Sequence, residues 1–243
     1  MGCIFGGTLF GIKLRFVLPD HHLSEESRDT VRLGTGMVAT LAALVLGLLI
    51  ASAKDHFQTL SGEIGQVAAK VMQIDTVLAD YGPETREVRD MLRSGIASAI
   101  KHYWSPKTDL VAAQAQKAGA VLRELRNKLL ELSPHNDAQR WLRSRALQLS
   151  ADIADTRWLL AQQIGETVLP MPFLVLLISW LTLIFMSFGL FSPKNWTVII
   201  VLFVCALSAA ASIFFILELG QPYQGLIRIS SAPLQKALVI MGQ

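Results

Sequence analysis

The sequence predicts an all-α, polytopic membrane protein with three or four transmembrane helices and a helical region outside the bilayer. Three observations predict it. Residues 34–53, 168–191 and 196–217 form three long runs without a single charge. Each reaches the roughly 20 apolar residues that a helix needs to cross a hydrocarbon core of about 30 Å. Between the first and second run, apolar residues recur at spacings of three and four, and no strand-like alternation of useful length occurs. The composition agrees: 52% of residues are hydrophobic and only 17% charged, and the mean hydropathy of +0.43 is too high for an ordinary soluble domain.

Residues 1–18 are apolar except for Lys13 and Arg15, rich in Gly, and followed by Pro19. They lack the basic start and cleavage site of a secretory signal. They form a fourth span only if Lys13 and Arg15 snorkel to an interface, and otherwise a short interfacial helix. Residues 19–33 are a polar connector in which Ser24 is an N-cap, with Glu25 and Glu26 in the first turn, where carboxylates suit the helix dipole. It leads into the span at 34–53. No Pro interrupts the chain from there into the polar residues that follow, so one helix is expected to run from lipid into water.

Residues 54–167 hold 15 Lys plus Arg against 14 Asp plus Glu, so no single charge sign dominates. Ile64, Val67, Val71, Ile74 and Leu78 make one apolar stripe. Gly82-Pro83 ends that helix and starts the next, whose stripe is Val88, Met91, Leu92, Ile96 and Ile100. Ser105-Pro106 and Ser133-Pro134 set off a third helix from about Lys107 to Leu132. A fourth runs from about Asn136 to Gly165, with Trp141, Leu142, Leu149, Ile153 and Leu160 as its apolar residues. "SPKN" joins the spans 168–191 and 196–217 as a tight hairpin. In the tail, 218–243, Pro222 and Gly225 make a turn, and Ser231 and Pro233 open a short helix. The hairpin holds Lys194 alone, whereas Lys54, Arg157, Arg228 and Lys236 lie toward the other ends of the spans. Positive residues favour the cytoplasm, so the helical region and the C-terminus are expected there.

Function classes narrow quickly. The net charge of +3 gives no nucleic-acid signature. Phosphate loops, nucleophile elbows and zinc-protease helices are absent from the sequence, and neither catalysis nor a cofactor is expected. Cys3 and Cys205 form no metal-ligand spacing. His21, His22, Glu25 and Glu26 read as a solvated cap rather than converging metal ligands. Arg140, Arg143 and Arg145 form a basic turn, either a solvated face or an attractor of anions. Glu218 ends an apolar span and needs protein, water or an interface. It has a structural partner such as Arg157 or Arg228, or it lies on an ion pathway.

The first long span carries the sharpest pattern. Gly36, Thr40, Ala43, Gly47 and Ala51 form a strip of small residues at spacings of three and four. Such a strip permits close helix packing. In an uncharged span it also suits a hydrophobic constriction that selects by dewetting.

Three blocks resemble a known family. "HLSEESRDTVRLGTGMVATLAALVLGLLIASAKDHF", "ADIADTRWLLAQQIGETVLPMPFLVLLISW" and "ILELGQPYQGLIRISSAPLQKAL" are similar to bacterial membrane proteins with a bestrophin-like domain. The order of spans around a helical region matches them too. A more distant resemblance reaches the bestrophin ion channels: Gly47 is followed ten residues later by Phe57, preceded by His56, and Asp55 and Ser52-Ala53 match bacterial bestrophins.

The resemblance implies a homopentamer in a bacterial inner membrane, with 34–57 of each copy lining a fivefold axis. It puts Thr40, Leu44 and Leu48 at the pore neck and Asp55, His56 and Phe57 at the cytosolic exit. It implies passage of small monovalent inorganic ions, chloride favoured, and it carries over no calcium site. Leu49, Ile50 and Ala51 replace a polar, basic stretch of bacterial bestrophins. That motivates an alternative, a non-conducting scaffold or sensor that keeps the fold and acts through partner proteins.

Overall fold

A computed structural model describes residues 1–19, 24–104, 111–165, 171–193, 195–220 and 225–242, without side chains at 102–103, 111–118 and 161–165. The described residues are helical, without strands. In order they are α1 (Gly2–Val17), α2 (Glu25–Tyr81), a 3₁₀ turn (Pro83–Thr85), α3 (Arg86–Tyr103), α4 (Val111–Glu131), α5 (Asp137–Gly165), α6 (Met171–Phe191), α7 (Trp196–Leu219) and α8 (Ala232–Ile240). The chain divides into two compact units: 1–56 with 167–220, and 57–166 with 221–243.

Among the described residues three helices are long and apolar enough to cross a membrane, α2, α6 and α7, and the first unit holds α6, α7 and the apolar part of α2. In lipid the backbone has no water to bond, so each must satisfy its peptide groups along its own length. α1 is shorter, 16 residues or about 24 Å, and lies along α6. Its contact is backbone against backbone. A Cβ on Gly7 would stand 2.8 Å from the carbonyl oxygen of Thr182. One on Gly11 would collide with the backbone of Met186, and one on Gly189 with that of Thr8. The pairings Gly7 with Thr182, Gly11 with Met186 and Arg15 with Ser192 advance together, so α1 and α6 run parallel. Ile4, Leu177, Leu181, Ile184, Phe185, Ala206 and Ile213 form the buried core around this contact.

α2 begins at the same end of the unit as the hairpin after α6. Ser24 Oγ accepts the Ser27 N–H at 3.3 Å, the expected N-cap. Arg28 Nη2 donates to the carbonyl of Phe191 at 2.8 Å, and Thr35 bonds the Ser187 hydroxyl at 3.0 Å. The Arg15 guanidinium donates to the Ser192 carbonyl. Two cations thus answer carbonyls left open at the end of α6. The expectation that the hairpin end carries Lys194 alone is therefore corrected. Cations distant in sequence arrive there through folding, and positive residues flank both ends of the spans.

In the second unit the apolar stripe of α2 is buried as its periodicity predicts. Val71, Ile74 and Leu78 pack with Val88 and Leu92 of α3, Leu125 and Leu129 of α4, and Leu149 and Ile153 of α5. Leu60, Ile64 and Ala68 pack with Ile229 and with Leu234 and Ala237 of α8. Gly82 turns the chain at φ 140°, a conformation that side chains with a Cβ rarely adopt. A 3₁₀ turn then precedes α3, rather than α3 starting directly at Pro83. Arg89 grips Asp75 with two bonds, Nε to Oδ1 at 2.7 Å and Nη2 to Oδ2 at 2.9 Å. The hydrogen bond to Asp75 holds the Arg89 guanidinium above its ordinary pKa. Asn136 caps α5 through the Gln139 N–H at 2.8 Å.

On α5, Ala146, Leu149 and Ile153 are buried, whereas Trp141 is 64% exposed. The basic turn also resolves into separate jobs. Arg140 pairs with Asp137, and Arg145 reaches Gln148 at 3.0 Å. Arg143 caps the end of α4 through the carbonyls of Leu129 and Leu130, at 3.0 and 2.7 Å.

Gly11→Leu should force α1 off α6 and destabilise the first unit by about 1–3 kcal/mol or more. Gly6→Leu is the control, because a Cβ there meets nothing within 4 Å. Thermal unfolding in detergent should show a lowered Tm for the Gly11 variant only.

Candidate functional site

The segment of α2 from 34 to 57 has two opposite faces. At about 100° per residue, Ala42, Leu46, Leu49 and Ala53 fall on one side and Thr40, Leu44 and Leu48 on the other. The first side is committed within the chain. Ala42 is 3% exposed and Ala53 is fully buried. Val38, Ala39, Leu46 and Leu49 pack on the core shared with α1, α6 and α7. The second side is left open. Leu44 is 66% exposed and Leu48 70%. Thr40, Gly36, Ala43, Gly47 and Ala51 are exposed as well.

Size separates this face from the outer faces of α6 and α7. Those present Phe173, Val175, Leu183 and Phe188, and Ile200, Val201, Phe214 and Phe215, large side chains of the kind that meet acyl tails. The α2 face alternates leucine with glycine and alanine. A Cβ placed on Gly34, Gly36 or Gly47 meets nothing within 4 Å. Small residues are valuable where another backbone comes close. Among the described residues of the chain nothing comes close to these.

The chemistry of the face is apolar throughout the membrane segment. Thr40 is the polar position, but its Oγ1 donates to the Gly36 carbonyl at 3.0 Å, spending its proton on the helix itself. Leu33 and Met37 continue the open stripe toward the hairpin end at 73% and 72% exposure. They were missed in the sequence although the four-residue spacing to Met37 and Leu41 was there to read. The change at Leu49, Ile50 and Ala51 falls on different faces: Leu49 packs inward, Ile50 is half-buried and only Ala51 is exposed.

Beyond the apolar segment, Asp55 is exposed, His56 is half-buried, and Phe57 packs beside Leu60 and Ile64 in the second unit. Glu218 is half-buried one residue before the end of α7. Arg157 belongs to the second unit. Its guanidinium lies over the Trp158 ring at 4.9 Å and against Gly119 of α4, where a Cβ would come within 3.0 Å of Nη2. His21 and His22 lie outside the described residues, and Glu25 and Glu26 are exposed in the first turn of α2.

Thr40→Val should leave Tm and oligomer mass unchanged, since the hydroxyl serves only its own helix. A change of more than about 1 kcal/mol would mean that the hydroxyl bonds a group outside its own helix.

Comparison with known proteins adds to this geometry. A family model, the bestrophin-like domain, matches residues 2–234. No curated protein matches the chain. Among solved structures, a bacterial bestrophin homologue from Klebsiella pneumoniae, phased by zinc anomalous scattering, superposes with a TM-score of 0.68 at 14% identity, covering 99% of each chain. Single-residue variants of a bestrophin homologue from the same organism give the same score at 14% identity, with 98% and 97% covered, and at 15% identity, with 99% and 97% covered.

Proposed function

The chain belongs to the bestrophin-like domain family, and from that premise we propose that it is a homopentameric channel for small monovalent ions. The open face of α2 supports this reading. It is apolar, uncharged, lined with small residues, and unmatched by any described residue of its own chain. Five copies around an axis would bring the Gly36, Ala43, Gly47 and Ala51 strip against neighbouring helices. Thr40, Leu44 and Leu48 would then narrow the axis as a neck. Asp55, His56 and Phe57 would form its exit, and α2 continues well past the membrane segment to Tyr81.

An uncharged neck offers no compensation for lost hydration, so it passes weakly hydrated ions most easily. By analogy with animal bestrophins the permeant ion is an anion, chloride above all. Glu218, near the end of α7, flanks the ion path. The helical unit and C-terminus face the cytoplasm of a bacterial inner membrane. This orientation rests on the family, because positive residues flank both ends of the spans.

Two measurements test the proposal. Purified protein in detergent should have the mass of five chains, and Gly47→Leu should shift it toward smaller species. In liposomes the protein should pass chloride, and Leu48→Ala should raise the flux several-fold by widening the neck. Intact pentamers in sealed liposomes without flux under any ionic condition would leave the scaffold or sensor instead.

A further inference from the structure

A cavity of about 260 Å³ opens where the end of α1 meets the hairpin between α6 and α7. Its lining combines two chemistries. Ile12, Phe16, Trp196 and Ile199 give it apolar walls, and Arg15 and Asn195 give it hydrogen-bond donors. No Asp or Glu lines it among the described residues.

The donors have capacity to spare. A guanidinium carries five N–H groups in a planar fork. Arg15 spends Nη1 on the Ser192 carbonyl, which fixes the fork at the cavity and leaves further N–H groups for a ligand. Asn195 uses its Oδ1 to accept the Thr197 N–H at 3.2 Å, which orients its NH₂ group and leaves that group as a donor. Arg28 stands on the neighbouring carbonyl of Phe191, a second positive charge at the same end of α6. A ligand here meets positive charge and donors on one side and hydrocarbon on the other.

The position narrows the choice. The cavity lies at the ends of α6 and α7, two helices long enough to cross the bilayer. Trp196 is 80% exposed and Phe16 is 65% exposed, aromatic residues placed where span ends meet headgroups. The volume falls below the roughly 300–1,000 Å³ of pockets that enclose a whole small molecule. It suits the polar start of a longer molecule whose remainder stays in the bilayer.

We propose that this cavity binds the phosphodiester of an anionic phospholipid. Arg15 takes the phosphate oxygens, Asn195 donates to the glycerol ester oxygens, and Ile12, Phe16, Trp196 and Ile199 hold the first methylenes of a chain. A guanidinium fork matches phosphate geometry, and a lipid without a compensating choline keeps its net charge for the two arginines. The inference is independent of whether the protein conducts and of which leaflet this end occupies.

The test is native mass spectrometry of the full-length protein in a neutral detergent. It is titrated separately with phosphatidylglycerol, phosphatidylcholine and inorganic phosphate. Phosphatidylglycerol should bind about tenfold more tightly than phosphatidylcholine. Arg15→Gln should abolish the preference, and Arg15→Lys should keep part of it. Trp196→Ala, at an exposed position, should weaken both lipids alike and leave Tm unchanged. Equal binding of the two lipids by the unaltered protein would overturn the proposal. So would a preference that survives in folded Arg15→Gln, or displacement of bound lipid by inorganic phosphate at equal concentration. If Arg15→Gln does not fold, Trp196→Ala decides: lipid binding unchanged by that substitution refutes the site.

Discussion

The organisation of the membrane unit depends on how one helix divides its faces. α2 must satisfy its backbone internally wherever it meets lipid, and that leaves its side chains to do everything else. Ala42, Leu46, Leu49 and Ala53 are committed to the chain's own packing or buried by it. Thr40, Leu44, Leu48 and the small residues beside them are not. Turning α2 by half a revolution would bury glycines against α6 and α7 and expose the well-packed side. The inner contacts therefore decide which residues remain available for a neighbouring molecule.

Much of this was legible in the sequence, where local periodicity carries the information. The stripe Ile64, Val71, Ile74 and Leu78 follows from 3.6 residues per turn, and it is buried. The shared face of Thr40, Leu44 and Leu48 follows from the same spacing. The cap at Ser24 followed from residue type and position. What local pattern does not contain is the identity of a distant partner. Gly7 and Gly11 read as composition until α6 supplies the carbonyls of Thr182 and Met186. Arg15 reads as a snorkelling cation and Arg28 as part of a polar connector until the end of α6 supplies their acceptors.

The arginines at the hairpin illustrate why counting charges along a membrane chain has limits. A cation that answers the last carbonyls of a helix is there for structural reasons, whichever side of the bilayer it faces. Arg15 and Arg28 both have such a reason. Their presence therefore carries less information about orientation than a free lysine in a loop would.

The glycine contact between α1 and α6 also has a history within each molecule. A chain is made from its N-terminus, and domains form as their parts become available. α1 is complete at Val17, whereas the helix it packs against begins only at Met171. Through the synthesis of α2, α3, α4 and α5, the grooves at Gly7 and Gly11 have no native occupant. α1 is thus made well before the helix that secures it. Until then the glycine face of α1, which α6 covers in the finished protein, is open to whatever surrounds it in the membrane.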